Sequence, residues 1–145
     1  MYDLERFVIA QNSPDIYSNY ECALREMKAG IKHCHWIWYI FPQLRDLGRS
    51  QKSYYYGIAD LGEANAYMQH ELLGKRLIEI CETLLAVPKT NPYTIFSSTD
   101  VRKLRSSMTL FSETENAHPV FRQVLEKFFD GKEDPETLSR ISKKG

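Results

Sequence analysis

HCHWIWYIFPQL, residues 33–44, is the stretch on which the reading of the fold turns. It gathers Trp36, Trp38, Tyr39, Phe41, His33, His35 and Gln43 into one short run. With a period of two, Trp36, Trp38 and Ile40 face one side and His35, Ile37 and Tyr39 the other, as in a strand. With a period of 3.6 the run is apolar nearly all round, as in a central buried helix. A strand needs a neighbour to pair with, and no second segment of the chain alternates clearly. The helical period therefore governs, and Pro42 ends it by disfavouring helix at Phe41. Indole N–H, tyrosine O–H and imidazole nitrogens need partners once buried. The block is accordingly either the wall of a cavity or a core with many polar obligations.

Outward from this block the chain reads as consecutive helices. Leu4 to Gln11 forms a short one, with Leu4, Phe7 and Val8 on one face. Ser13-Pro14 opens a second, expected to run to about Ala29, carrying Ile16, Tyr20, Ala23, Leu24 and Met27 at helical spacing and stopped by Gly30. After the polar connection 45–50, Ser50 caps a helix through Tyr56. Asp60-Leu-Gly-Glu63 is a capping-box variant that opens a helix with Ala64, Tyr67 and Met68. His70 and Gly74 mark a break before Leu77, Ile80, Cys81, Leu84 and Leu85. Ser97 to Asp100 opens a helix whose Val101, Leu104, Met108 and Phe111 recur at helical spacing. Val120, Phe121, Val124, Leu125 and Phe128 mark the next, ending at Gly131, and Leu138 and Ile141 a last short one. The expected fold is all-α, a single-domain bundle over 1–145 with about seven or eight short helices.

The composition bounds the function. A chain of 145 residues with 43% hydrophobic and 26% charged residues can bury a proper core and is not disordered. Lys plus Arg and Asp plus Glu balance at 19 each, which argues against a duplex nucleic-acid binder but leaves room for a small anionic ligand. Cys22, Cys34 and Cys81 lack CxxC spacing and read as free thiols of a reducing compartment. The start MYDLERFVIAQ has no signal-peptide pattern, and the apolar run 36–41 is too short to span a bilayer, so a cytoplasmic protein without membrane contact is expected.

Two constellations have chemical potential. His35, Trp36, Trp38, Tyr39 and Gln43 could stack on a heterocycle and bond its edge; an aromatic core with satisfied polar tips uses the same residues. In SSTDVRKLRSSMT, residues 97–109, a helix start stands close to Arg102, Lys103 and Arg105. Arg105, Ser106 and Thr109, opposite the apolar stripe, could grip a phosphate, although Asp100 at the helix start would repel one. Glu26 is the acid to watch: if buried beside the aromatic block it would titrate high and act as general acid or base, whereas a solvated face beside Arg25 or Lys28, or an ion pair with Lys32, would make it structural. No metal is expected, because His33-Cys34-His35 do not converge from one helical face. No cofactor fingerprint is present.

FVIAQ (7–11), the Tyr20, Ala23-Leu24, Glu26, Gly30 run, HWIWYIFPQL (35–44), LGRS (47–50), LLGKRL (72–77) and KLRSSMTLF (103–111) follow in an order that resembles the bacterial family catalogued as domain of unknown function 1810, typified by a small mycobacterial helical protein. The resemblance covers essentially the whole chain and implies a mainly helical domain with no established activity. Some members carry the label calpastatin, an inhibitor that is disordered, as this composition is not. A fainter similarity links the aromatic-polar helix, the Ala-rich helix and the LG-R segment to helical ADP-ribose-processing domains.

The function expected from these readings is a pocket for a nucleotide-like or ADP-ribose-like ligand. Its walls would be Trp36, Trp38 and Tyr39, with polar contacts from His35, Gln43 and Ser50 and anion contacts from Lys32, Arg105 and Ser106. Any catalysis would be hydrolysis at an N-glycosidic or ADP-ribosyl bond, with Glu26 or His35 as acid-base candidates. The alternative is a helical protein-interaction or regulatory module with no ligand. One of the two indoles is expected in the core and the other at the site.

Overall fold

Helix periodicity dictates the architecture, and the computed structural model carries it out over the described residues, 2–144, with side chains through Ser142. Met1 and Gly145, the two ends of the expected domain, lie outside the described residues. The helices are α1 (Glu5–Gln11), α2 (Tyr20–Ala29), α3 (Ile37–Ile40), α4 (Gln51–Tyr55), α5 (Leu61–Gln69), α6 (Glu71–Ala86), α7 (Ser98–Ser112), α8 (Val120–Phe129) and α9 (Pro135–Lys144). Short 3-10 turns cover Arg45–Leu47 and Pro92–Thr94. Among the described residues the strand-type pairing is one isolated parallel bridge, Leu44 with Ile58, so the all-α class stands. No helix among them is long and apolar enough to cross a membrane.

The core forms where the apolar stripes meet. Leu73, Leu77, Ile80 and Leu84 of α6 pack with Leu104, Met108 and Phe111 of α7 and Phe121, Val124 and Leu125 of α8, all buried. On α7 this stripe leaves the opposite side, Thr99, Arg102, Lys103 and Ser106, free to face elsewhere. At the other end Arg6 is buried and donates to the carbonyls of Tyr55 and Gly57 and to Glu63 Oε2 at 2.8 Å, clamping α1 to the turn between α4 and α5. Glu63 also accepts from Ala59 N at 2.7 Å, so both its oxygens are engaged.

Three expectations need correction. The second helix does not begin at Pro14. Asp15 accepts from Tyr17 N and Ser13 Oγ accepts from Asp15 N, local turns that compete with the helical ladder, and the helix starts behind the Asn19 cap. Ile16, expected on its buried face, is 60% exposed. The aromatic block is helical only over Ile37–Ile40, because His33 N and Cys34 N donate to the Glu26 carboxylate instead of entering a ladder. The break at position 70 is real: His70 ends α5 and its Nδ1 accepts from Leu72 N and Leu73 N to start α6. Gly74 makes no second break. It lies inside α6, where any Cβ would strike the Met68 backbone.

Candidate functional site

Trp36 and Trp38 lie two positions apart, Trp36 at the non-helical N-cap of α3 and Trp38 within it, and they end in different surroundings. Trp36 is fully buried. Its Nε1 donates to Glu26 Oε1 at 2.7 Å, its ring meets Phe41 at 6.2 Å, and the Lys32 ammonium stands 5.0 Å from it. Burial raises the Glu26 pKa, but the bonds from Trp36, Cys34 and His33 outweigh it and hold the carboxyl below its ordinary range. The expectation of a high-titrating acid is thus overturned: every one of these donors favours the charged form. Nor does Lys32 pair with Glu26. It bonds Asp100 Oδ2 at 2.9 Å and the Cys34 carbonyl at 2.5 Å, and so removes Asp100 as a bar to anions at the α7 start.

Trp38 is half-buried, and its enclosed Nε1 has no hydrogen-bond partner among the described residues. Lys52 and Lys103 place their ammonium groups 4.8 and 5.4 Å from its ring. Gln43, Phe41, Ser53 and Tyr56 complete a narrow notch around it. The notch shares Gln43, Ser53 and Lys103 with a larger groove of about 800 Å³ between the 46–50 loop and the outer faces of α7 and α9. The sequence places the groove walls simply. Thr99, Arg102, Lys103 and Ser106 recur at three- and four-residue spacing, which puts them on one side of α7. Ser50 caps α4 by accepting from Ser53 N, which turns the LGRS loop towards α7. Gly48 lets that loop close, since a Cβ there would overlap Ser53.

The groove is electropositive. Arg49, Arg102, Lys103, Arg105 and Arg140 line it against Asp46, Asp134 and Glu136. Two of these acids are spent inside the protein: Asp134 accepts from Ser106 Oγ and Thr137 to start α9, and Glu136 pairs with Arg140 at 3.4 Å. Arg105 is also engaged, donating to the carbonyls of Lys132 and Glu133 at 2.9 and 2.7 Å. Arg49 and Arg102 have no carboxylate partner among the described residues. Burial pushes the Lys103 ammonium down and nearby Lys32 adds to this, with Asp100 opposing. A cation held under that strain gains from a bound anion.

The residues expected to share one site are divided. Gln43, Ser50, Arg105 and Ser106 border the groove, and Trp38 lines the notch that adjoins it. Trp36, Lys32 and Glu26 form the buried cluster behind it. Tyr39 lines neither notch nor groove: it packs edge-on against Tyr56 and donates to Ser18 O at 2.6 Å, and burial pushes its phenol up to about 12. His35 is exposed and lines neither notch nor groove. Sequence reasoning left Arg49, Ser53 and Arg140 out; Arg49 stands in the quoted LGRS segment, while Arg140 carried no signal before α9 was placed.

With the geometry in view, comparison with known proteins adds the family. The family model described as Protein of unknown function (DUF1810) matches residues 1–141. The chain belongs to this family. The DUF1810 chain also superposes on the crystal structure of the conserved hypothetical protein Rv1873 from Mycobacterium tuberculosis, with a TM-score of 0.91, 42% identity and 97% of each chain covered. No curated protein matches.

Proposed function

We propose that this DUF1810 member binds a small anionic ligand, nucleotide-like or ADP-ribose-like, in the groove between the 46–50 loop and α7. One observation carries the reading. The enclosed, partnerless indole N–H of Trp38 lies beside a half-buried Lys103, at the foot of a groove bearing the unpaired Arg49 and Arg102. A buried donor without a partner costs free energy that an acceptor on a ligand recovers. The half-buried indole and the Gln43 side chain suit a flat heterocycle, and the guanidinium groups suit phosphate oxygens. The reading assigns binding only. Glu26, its carboxylate fixed by three donors, holds the aromatic block in place and takes no acid-base part.

A thermal-shift panel tests this, with ADP-ribose, NAD, AMP, ribose 5-phosphate and pyrophosphate set against unphosphorylated adenosine. A bound compound at a hundredfold excess over its Kd stabilises by about 2.7 kcal/mol. The phosphorylated members are expected to raise Tm and adenosine is not. Absence of a shift across the panel contradicts the reading.

A second reading rests on α4, where Tyr54 and Tyr55 are 63% and 56% exposed next to the groove. Tyrosines so placed suit a protein partner, and a flat Tm response with saturable binding of a protein across α4 would favour an interaction module.

A further inference from the structure

Behind the aromatic block, three ligating atoms converge from Cys22, Glu26 and Cys34, four and eight residues apart in the sequence. Cys22 and Glu26 stand four residues apart on α2, hence on one side of it. The chain returns through the 31–36 loop and brings Cys34 to the same place. Cys22 Sγ, Cys34 Sγ and a Glu26 carboxylate oxygen all lie within 4.8 Å of one another. We propose that Cys22, Glu26 and Cys34 form a binding site for one thiophilic divalent cation of the Zn²⁺ kind, tying α2 to the 31–36 loop.

The geometry is close to what such an ion requires. Tetrahedral zinc with sulfur at about 2.3 Å and oxygen at about 2.1 Å separates its ligand atoms by about 3.6 to 3.8 Å. Closing the present spacing takes side-chain movements on the order of 1 Å, within reach of a rotation about one bond. The carboxylate is already oriented, because Trp36 Nε1 and the His33 and Cys34 amides all hold Glu26 Oε1. Outer donors of this sort fix a ligand before the metal arrives. Cys34 is pinned as well, by its own amide on Glu26 and by Lys32 on its carbonyl. Cys22 is fully buried and Glu26 is 9% exposed, so the site is shielded from water on the α2 side.

Donor chemistry selects the class. Two sulfurs exclude Mg²⁺ and Ca²⁺, which demand oxygen, and the carboxylate makes the set harder than the all-thiolate sites that Cu⁺ prefers. Binding replaces two S–H bonds by two Zn–S bonds, and both protons leave to solvent. The carboxylate adds the third bond, and water fills the fourth position. No electron is transferred. A Cys22–Cys34 disulfide is the competing use of the sulfurs, and the mass of the untreated chain distinguishes it.

The test uses the full, untagged chain under a phosphine reductant. Titration with Cd²⁺ is expected to give a thiolate-to-metal ultraviolet band that saturates at one equivalent, and Zn²⁺ is expected to raise Tm where Mg²⁺ does not. Cys34→Ser, at the half-exposed position, is expected to lose the band. In the unaltered chain, one equivalent of Zn²⁺ is expected to block alkylation of Cys34 by iodoacetamide, read by intact mass; this keeps the test decisive if the variant fails to fold. An absent band, an unchanged alkylation rate, or a folded Cys34→Ser that retains the band would overturn the proposal.

Discussion

Trp36 and Trp38 come from the same six-residue aromatic run, yet one lies in a closed environment and the other in an open one. Around Trp36 every polar obligation is met: its indole bonds Glu26, Glu26 also takes two amides, and Lys32 above the ring bonds Asp100. Around Trp38 the obligations stay open: among the described residues Nε1 has no hydrogen-bond partner, two ammonium groups stand over the ring, and Arg49 and Arg102 in the adjoining groove have no carboxylate partner. The closed cluster is built for stability, since a buried polar network is favourable only when fully satisfied. The open one is unfinished in a way that an anion completes. The same residue type thus serves the fold at one position and the candidate site two positions later.

The contrast is first broken or sharpened by truncating the closed side. Trp36→Ala is expected to cost roughly 3 to 5 kcal/mol, since it leaves a cavity and strips a donor from a buried carboxylate. Denaturant unfolding measures it, and a loss under about 1 kcal/mol would place Trp36 outside the core.

Glu26→Gln comes next, with an expected loss of about 1.5 to 3 kcal/mol at neutral pH for hydrogen bonds to a charged group. The sign with pH follows from a depressed folded-state pKa. The stabilisation by the ionised carboxylate is present above the ordinary glutamate value of 4.5 and is lost as pH falls through the lower folded value. The gap between wild type and Glu26→Gln should therefore narrow on acidification. A gap that widens below pH 4.5 would mean that the neutral acid is the bound form.

On the open side the effects move from stability to binding. Trp38→Phe keeps a ring and loses the donor, so stability should stay within about 1.5 kcal/mol of wild type while ADP-ribose binding weakens roughly tenfold. Arg102→Ala is smaller still in the fold, within about 0.5 kcal/mol. Its mark is a weaker salt dependence of ligand affinity, because one screened charge has been removed. Unchanged affinity and salt response in both variants would move the site away from α7.

Much of this contrast was written in the sequence, and what was missing has physical reasons. The stripes Val101-Leu104-Met108-Phe111 and Val120-Val124-Phe128 specify the core because their spacing encodes direction directly. The division between two indoles two residues apart is expected from a helix through both, whereas Trp36 sits at the N-cap of α3 with non-helical backbone and only Trp38 is in the helix. The helix over the whole aromatic block failed because a carboxylate seven residues upstream claimed the His33 amide, a tertiary competition that no local pattern reveals. Glu26 was singled out as an acid that burial beside the aromatics would make notable, but the direction of its titration depends on donor count, which the sequence does not display. Arg49 and Arg140 enter the groove only because the 46–50 loop and α9 come together beside α7.

The chain has two tryptophans, so its two indole N–H signals in a proton–nitrogen correlation spectrum report the closed and the open environment separately. With both assigned by Trp38→Phe, ADP-ribose and pyrophosphate are titrated in turn. The expected result is a saturable shift of the Trp38 indole signal with one or both, while the Trp36 signal, bonded to Glu26, stays in place and exchanges slowly with deuterium. A Trp38 signal that ignores both compounds, or a Trp36 signal that moves in its stead, would contradict the assignment of Trp38 to the binding groove.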